Sequence, residues 1–356
     1  MRIALLFLML ALNTAAQAQL EFEYGGVTRT YFMDAPDPIP PGAPIVVVMH
    51  GYTSSAMLIR AYSNWDELAL SEGFVAVFPQ GTQDDLGINH WNANLGSNTD
   101  DHGFLVALVQ HLQQEYELST TCTYACGMSN GGFMSYSLAC EHPEVFSAIG
   151  SVTGAMSSAD FGCTPTTVVP IIHLHGTADL TVPYEGGVGG PWGLSSIPDI
   201  VEHWTELMGT TTFEETPLPN QELVDLTSAD FLRYAGAPGG QEFHHYRING
   251  GGHEWFGAWG SPEVESTEVL WDFFAAQCAG EFTAVEDLAV QPGILTSLGR
   301  GVQANFDCHV EVFDILGRRM QTVVLRAGER FQTAGPGFTL LKARAEGLGT
   351  EVLKLY

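Results

Sequence analysis

Basic side chains are scarce in this chain, which has 13 Lys and Arg against 41 Asp and Glu and a formal net charge of −28. Binding to nucleic acid or to an anionic membrane draws mainly on Lys and Arg, so the composition argues against both partners. The acidic surface indicates solubility or adaptation to a salty medium, and it identifies no substrate. A hydrophobic content of 45% is typical of a packed globular protein.

Long apolar runs are also lacking, because no stretch after the N-terminus reaches the roughly 20 residues of a membrane-spanning helix. At the N-terminus, a short apolar run from Ile3 to Leu12 follows Met1-Arg2 and precedes Ala16-Gln-Ala18, a small-x-small cleavage site. This pattern predicts a signal peptide over residues 1–18. We therefore expect a chain without a stable membrane anchor, secreted or held at the cell surface.

The C-x-x-C spacing that is typical of metal-binding cysteines is missing, and no metal site or cofactor is predicted. Export favours disulfides among the six cysteines. Cys122 and Cys126 cannot pair if their segment is a strand, because four residues at about 3.3 Å each exceed the ~7 Å limit for a bridge. Cys140 with Cys163 is the preferred pair. Four histidines lack a metal-ligand spacing and are interpreted as core or strand residues: His173, His175, His244 and His245.

Apolar strands alternate with helical segments over the first 280 residues. The continuous apolar runs are those expected of strands buried on both faces, at Ile45 to Met49, Phe74 to Phe78, Tyr124 to Met128, Ala148 to Val152 and Ile171 to Leu174. Helical spacing occurs at Met57 to Ser71, Phe104 to Tyr116 (with Asp100 and Asp101 at its N-cap and first turn), Gly131 to His142, Asp199 to Met208 and Glu263 to Gln277. The alternation predicts an α/β fold with a mainly parallel, doubly wound sheet.

The pattern changes near Gly280. From about Phe282 onward, short apolar alternations such as Val310 to Phe313 and Phe338 to Lys342 are separated by Gly-rich turns. We therefore predict a catalytic α/β domain over residues 19–280 and a small, β-sandwich-like all-β domain over residues 281–356.

The segment Gly127-Met-Ser-Asn-Gly131 is a G-x-S-x-G motif. In hydrolases this motif places a nucleophilic Ser on a strained turn between a strand and a helix. An apolar strand precedes it here and a helical segment follows, which is the context that the motif requires. Ser129 is therefore the predicted nucleophile.

A Ser nucleophile needs a base, and the base needs an acid to orient it. In this fold they follow in the order Ser, acid, His. Asp179 comes just after the apolar strand ending near His175, and His253 follows a run of glycines. We predict that His253 is the base and Asp179 the acid, with a turn-capping carboxylate as the alternative reading of Asp179. Glu185 and Asp199 are weaker candidates for the acid.

An oxyanion hole is expected from two backbone N–H groups, those of Asn130 after the nucleophile and Tyr52 after His50-Gly51. Trp91 and Trp255 are candidates for lining a substrate cleft. Ordinary packing in the core is an equal alternative for each of these tryptophans.

Several motifs together resemble the polyhydroxybutyrate depolymerase family and its feruloyl and acetylxylan esterase relatives across roughly residues 20 to 280. They are Arg29-Thr-Tyr31, His50-Gly51, Trp91 with Asp100-Asp-His-Gly-Phe104, Gly127-Met-Ser-Asn-Gly-Gly132, His175-Gly-Thr-Ala-Asp179 with Val182-Pro-Tyr184, and Gly251-Gly-His253. The resemblance implies an α/β-hydrolase fold, a triad at Ser129, Asp179 and His253, and hydrolysis of esters on polymers or their fragments without a cofactor.

Two positions depart from that pattern. Asn130 stands where the depolymerases often have Ala, and His102 where the family has Val. Both weaken the case for polyhydroxybutyrate in particular. Asn130 favours the feruloyl esterases and with them esters of plant polymers, and His102 is expected to alter the cleft.

The C-terminal segment resembles type IX secretion sorting domains through Val310 to Arg318, Gly337 to Lys342 and Val352 to Lys354, although Gln291-Pro-Gly293 replaces their usual Pro-Asn-Pro. It implies secretion machinery as a partner. A polymer-binding β domain is the rival, but no row of aromatic residues supports it.

The sequence thus predicts an extracellular serine esterase that forms an acyl-enzyme on Ser129. A serine peptidase on the same fold is one alternative, because a triad alone does not separate esters from amides. A non-catalytic surface or carbohydrate-binding protein is the other.

Overall fold

The computed structural model describes residues 19–278 except 97, 188–194 and 222–223, and beyond residue 278 it describes only strand backbones and Arg326. The chain divides into two compact units, Met1–Phe282 and Thr283–Tyr356. The predicted signal peptide lies outside the described residues. Within the described residues, no helix has the length and apolar character needed to cross a membrane.

The first unit is built on a ten-stranded sheet with the order β1-β2-β4-β3-β7-β8-β9-β12-β11-β10. In chain order the strands of this unit, including the separate two-stranded pair β5 and β6, are β1 Leu20–Tyr24, β2 Val27–Asp34, β3 Ile45–Met49, β4 Val75–Pro79, β5 Thr82–Gln83, β6 Asn89–His90, β7 Thr123–Met128, β8 Ala148–Val152, β9 Ile171–Gly176, β10 Thr212–Pro217, β11 Ser228–Ala235 and β12 Phe243–Asn249.

The centre of the sheet is parallel, from β4 through β3, β7, β8 and β9 to β12. Antiparallel strands close both edges, β2 and β1 on one side and β11 and β10 on the other. The predicted mainly parallel sheet is confirmed. Strands β10 and β11 were not predicted, because β10 is exposed along its whole length and β11 lacks a strict alternation of buried and exposed residues.

Among the residues that the structure describes, six helices cover the sheet: α1 Ala56–Ser63, α2 Trp65–Glu72, α3 Asp101–Tyr116, α4 Asn130–Glu141, α5 Ile197–Met208 and α6 Ser266–Cys278. The single helix predicted over residues 57–71 is wrong, because Asn64 adopts φ 58° and separates α1 from α2. The predicted N-cap of α3 is confirmed, since the Asp100 carboxylate accepts the Gly103 N–H at 2.9 Å.

The core has two layers because successive residues of a strand point to opposite faces of the sheet. In β3, Val47 packs with residues of α3, α4 and α5, whereas Val46 and Val48 pack with residues of α1, α2 and α6. Helices therefore cover both faces, as predicted for a doubly wound sheet.

Two disulfides stabilise the first unit. The predicted pair Cys140–Cys163 is confirmed, with a Cα–Cα distance of 5.9 Å, and it joins the last turn of α4 to the segment between β8 and β9. A second pair, Cys122–Cys278, joins the start of β7 to the end of α6 at 5.5 Å and was not predicted. Cys126 is a buried free thiol, and burial raises its pKa well above the ordinary value.

The described backbone of the second unit consists of strands, in keeping with the predicted all-β character. They are β13 Leu295–Ser297, β14 Gly301–Ala304, β15 Cys308–Phe313, β16 Arg319–Leu325, β17 Arg330–Gln332, β18 Thr339–Ala345 and β19 Gly349–Leu355. They form two antiparallel sheets, β13-β14-β17 and β16-β15-β18-β19. Gln291 to Gly293, where the Pro-Asn-Pro motif was expected, lies outside the described residues.

Candidate active site

Ser129 occupies a strained turn between β7 and α4. Its backbone has φ 53° and ψ −118°, a conformation that residues with a side chain rarely adopt. The flanking glycines are required by close packing, because a Cβ on either Gly127 or Gly131 would collide with the Met49 carbonyl oxygen. The turn therefore has the geometry expected of a nucleophile held at the end of a strand.

The three predicted triad residues follow strands of one parallel block. Ser129 comes directly after β7, Asp179 three residues after β9 and His253 four residues after β12. These strands lie side by side in the order β7-β8-β9-β12, and neighbouring strands are about 4.8 Å apart. Since parallel strands end at the same edge, the fold brings all three residues to one edge of the sheet.

Asp179 and His253 form a hydrogen-bonded pair, with Asp179 Oδ2 2.7 Å from His253 Nδ1. The other carboxylate oxygen, Oδ1, accepts the backbone N–H groups of Thr181 and Val182 at 2.7 and 2.9 Å. Burial alone would raise the pKa of Asp179, but the bond to His253 and the N–H donors hold it below its ordinary value. Asp179 therefore caps a turn with one oxygen and bonds to the His253 ring with the other.

The loop of His253 is tied to the loop after β9. The Gly251 carbonyl accepts the Ala178 N–H at 2.9 Å, and a Cβ on Gly176 would collide with Gly251. Glu254 bonds back to the Gly252 N–H at 3.1 Å. The His253 ring is hydrogen-bonded to Asp179 and is partly exposed to solvent.

No hydrogen bond joins Ser129 Oγ to His253 in the part of the chain that the structure describes. This bond is often long in enzymes without substrate and tightens in the substrate complex. The structure therefore brings Asp179 and His253 into contact and places Ser129 at the same edge of the sheet.

The loop after β3 passes beside Ser129. A Cβ on Gly51 would lie 3.4 Å from the Cβ of Ser129, so the backbone of Gly51 is close to Ser129. His50 holds the loop, because its Nδ1 donates to the Gly51 carbonyl at 2.8 Å and its Nε2 accepts the Gly81 N–H at 3.0 Å. Burial lowers the pKa of His50 to about 4, so the ring is neutral.

Tyr52, the next residue of this loop, is held by its phenol, which donates to Asp84 Oδ2 at 2.7 Å. At the start of α4, the Asn130 N–H belongs to the first turn, where backbone donors have no partner within the helix. The two predicted oxyanion donors, Tyr52 and Asn130, thus lie on segments that flank Ser129.

Trp91 is completely buried and braces the site from within. Its backbone N–H donates to Asn130 Oδ1 at 2.6 Å, and its carbonyl accepts Asn130 Nδ2 at 3.0 Å. Its indole N–H donates to the His50 carbonyl at 3.0 Å. Trp91 has no exposed surface to offer a substrate in this structure. Of the two interpretations drawn from the sequence, it fits packing in the core.

Trp255 is also in the core, with 1% of its surface exposed and its indole N–H donated to Thr267 Oγ1 at 3.1 Å. Sequence reasoning missed a more accessible aromatic. Trp259 is 38% exposed and packs edge-on against Tyr62, whose hydroxyl lies 3.5 Å from Met128 Sδ beside the nucleophile. No sequence signal marks Trp259, because it belongs to no motif.

Three other predicted residues lie elsewhere in the structure. Glu185 and Asp199 are exposed, and Asp199 lies in the first turn of α5, so neither replaces Asp179 beside His253. His102 bonds through Nε2 to Ser137 Oγ on α4 at 2.7 Å. His102 stands where the family has Val, and this difference therefore adds a hydrogen bond between α3 and α4.

A cavity of about 460 Å³ lies between β11, β12 and α6, and its wall includes Phe231, His244, Tyr246 and Phe273. It contains none of the predicted site residues. Among the described residues, no group of three or more His, Cys, Asp or Glu side chains is arranged to hold a metal ion.

The fold and the paired Asp179 and His253 at the edge of a parallel sheet define an α/β-hydrolase. Residues 35–169 match the family model described as Esterase PHB depolymerase. NocK of Nocardia uniformis subsp. tsuyamanensis, which carries the name of an esterase, is 26% identical over 252 residues, covering 67% of this chain and 73% of NocK. Feruloyl esterase B of Piromyces equi is 28% identical over 222 residues, covering 59% of this chain and 39% of that protein.

A solved structure, the acetyl xylan esterase from Aspergillus awamori, superposes with a TM-score of 0.52 at 15% identity, covering 69% of this chain and 94% of that one. At that identity the likeness shows the fold alone. The predicted α/β-hydrolase fold and the predicted resemblance to the polyhydroxybutyrate depolymerase and feruloyl esterase family are confirmed, and with them the class, a carboxylic ester hydrolase.

Proposed function

We propose that this chain hydrolyses carboxylic esters through an acyl-enzyme formed on Ser129. The pair formed by Asp179 and His253 at 2.7 Å is the observation that carries the proposal. With Nδ1–H donated to Asp179, His253 presents Nε2 as the atom that accepts the proton of Ser129.

In the first step the Ser129 oxygen attacks the ester carbonyl while His253 Nε2 takes the hydroxyl proton. The negative oxygen of the tetrahedral intermediate is stabilised by the N–H groups of Tyr52 and Asn130. The intermediate collapses as His253 gives its proton to the departing alcohol. In the second step water attacks the acyl-enzyme with His253 again as base, and the acid and free Ser129 are released.

We further propose that the ester is carried by a polymer or its fragments. The relative named as a feruloyl esterase supports plant cell-wall esters, and the family model supports a polyester. The identity of Asn130 does not separate these classes by contact with substrate, because its side-chain amide is buried and bound to Trp91. A panel of methyl ferulate, acetylated xylan, polyhydroxybutyrate film and p-nitrophenyl acetate distinguishes them by the acid released.

We propose that the enzyme works outside the cell, with residues 1–18 as an export signal and residues 281–356 as a sorting domain for the type IX machinery. The two disulfides of the first unit support an oxidising compartment. In a host with that machinery, the full chain should appear at the surface or in the medium. A chain ending at residue 280 should stay inside the cell envelope, and equal release of both chains would contradict the sorting role.

The catalytic proposal is tested with purified protein and p-nitrophenyl acetate. Ser129→Ala should abolish turnover, and a fluorophosphonate probe should label the unchanged protein but not the variant. Unchanged turnover in Ser129→Ala would refute the proposal. Release of amines from peptides with no ester turnover would favour a peptidase instead, and absence of both activities and of labelling would favour a non-catalytic surface protein.

A further inference from the structure

Three fully buried histidines lie beneath the turn that carries Asp179, although the catalytic mechanism uses none of them. His173 and His175 are two residues apart on β9, so their side chains share one face of the sheet. Their rings stack almost parallel, with centroids 5.2 Å apart and an angle of 2°. His245 lies beside His173 on the neighbouring strand β12. Such polar groups are costly in an apolar core unless every one of them is bonded.

The first two rings form a hydrogen-bonded chain that leads toward Asp179. It begins at the Tyr136 hydroxyl on α4, which is 2.8 Å from His173 Nδ1. His173 Nε2 is 3.1 Å from His175 Nδ1, and His175 Nε2 is 2.8 Å from the Val182 carbonyl oxygen. Tyr136, His173, His175 and Val182, which form this series of hydrogen bonds, are all buried.

The Val182 carbonyl determines which atom donates in each of these hydrogen bonds. A carbonyl oxygen only accepts, so His175 Nε2 carries a proton and its Nδ1 is an acceptor. His173 must then donate from Nε2, which leaves its Nδ1 to accept the Tyr136 hydroxyl. Burial lowers the pKa of His175 to about 4 and that of His173 well below its ordinary value, so both rings are neutral.

His175 contacts the Asp179 turn at two points. Besides the Val182 carbonyl, its Nε2 lies 3.5 Å from Asp179 Oδ2, the oxygen that faces His253. The Val182 N–H in turn donates to Asp179 Oδ1 at 2.9 Å. One N–H group therefore bonds to the backbone of the turn and lies beside the carboxylate oxygen that faces His253.

We propose that His175 is a positioning residue for Asp179, and that His173 and Tyr136 hold it in the tautomer that this requires. The proposal rests on the proposed catalytic role of Asp179. Loss of the His175 donor would let the carboxylate rotate away from His253, and small misplacements of catalytic groups cost up to about 100-fold in rate.

His245 provides a matched control. It is as deeply buried as His175, donates from Nδ1 to the His173 carbonyl at 3.1 Å and accepts the Tyr184 hydroxyl at Nε2. Its described hydrogen bonds reach neither Asp179 nor Val182. A variant at this position therefore disturbs the same core without removing the donor under Asp179.

The experiment compares His175→Leu, His175→Gln and His245→Leu in the mature full chain, with kcat and KM measured on p-nitrophenyl acetate and folding followed by circular dichroism. We expect His175→Leu to lower kcat by about 10- to 100-fold with KM within about 3-fold. The amide N–H of His175→Gln can reach Val182 and should restore most of kcat. His245→Leu should lose thermal stability with kcat within about 3-fold.

Equal loss of kcat in His175→Leu and His245→Leu, or no recovery in His175→Gln, would overturn the proposal. If the Leu variants do not fold, Tyr136→Phe and Tyr184→Phe provide the same comparison, and only Tyr136→Phe should lower kcat. Ser129→Ala is assayed alongside. An active Ser129→Ala would refute the proposed function itself, whereas an inactive Ser129→Ala with an unimpaired His175→Leu would refute only the positioning role.

Discussion

Asn130 holds the backbone of Trp91 with both ends of its side-chain amide, accepting the Trp91 N–H at 2.6 Å and donating to the Trp91 carbonyl at 3.0 Å. The Trp91 indole then reaches the His50 carbonyl. Asn130, which follows the proposed nucleophile Ser129, is thereby joined through Trp91 to the loop that is proposed to supply the second oxyanion donor.

Asn130→Ala should weaken both folding and catalysis, because it leaves the buried N–H and carbonyl of Trp91 without partners. Each unpaired buried group costs about 1–3 kcal/mol, so a urea titration should show a loss of free energy of unfolding of this order or larger. The rate kcat on p-nitrophenyl acetate should fall with it. Asn220→Ala removes an exposed amide that also bonds to a backbone carbonyl, and it should change neither quantity measurably.

Asp179→Asn and Asp179→Ala should separate the two uses of this carboxylate. The Asn variant keeps an oxygen for the N–H groups of Thr181 and Val182 but presents an amide N–H to His253, which favours the wrong tautomer. We expect kcat to fall by about 10⁴-fold with stability retained. The Ala variant should lose a similar factor in kcat and in addition about 1–3 kcal/mol of stability. Equal stability of the two variants would contradict the turn-capping role.

The two disulfides should differ in their contribution to stability, since Cys122–Cys278 spans 156 residues and Cys140–Cys163 spans 23. Closing a longer loop removes more entropy from the unfolded chain. Removal of the long-range pair by a double Ala substitution should cost about 4–5 kcal/mol, against about 3 kcal/mol for the short-range pair. Calorimetry of both variants checks the order, and a larger loss from the short pair would contradict it.

Acid should destabilise the protein from about pH 6.5 downward, the ordinary pKa of an unfolded His. Burial lowers the folded pKa of His50 and His175 to about 4 and of His245 to about 3. Between these values and 6.5 the unfolded chain binds more protons than the folded one, so stability rises with pH in that window and is lost as pH falls through it.

Each such histidine contributes up to about 1.4 kcal/mol per pH unit within the window. Urea titrations at pH 7, 6 and 5 should therefore give a steep dependence. In His245→Leu the slope should be smaller by about one proton, and an unchanged slope would show that burial does not lower the pKa of His245 in the folded protein.

Much of the site was predictable because its residues follow buried strands. Ser129 and Asp179 each come after an apolar run, His253 follows β12 and a run of glycines, and parallel strands of one sheet end at the same edge. The order of the three residues along the chain was therefore enough to place them together.

Tertiary packing decided what the chain order leaves open. Trp91 and Trp255 could equally have lined a cleft, and only the contacts with His50 and Thr267 show that both are buried. Cys122 and Cys278 are distant in the chain and meet because α6 packs across the sheet.

The sequence alone determined the fold class and predicted the nucleophile and the order of the proposed catalytic groups, because hydrophobic periodicity and a strained glycine turn are local properties of the chain. The structure alone decided that Asp179 serves two purposes and that His175 lies beneath it. Hydrogen bonds between distant segments depend on which side chains the fold brings within 3 Å or so of each other, and no local pattern records that.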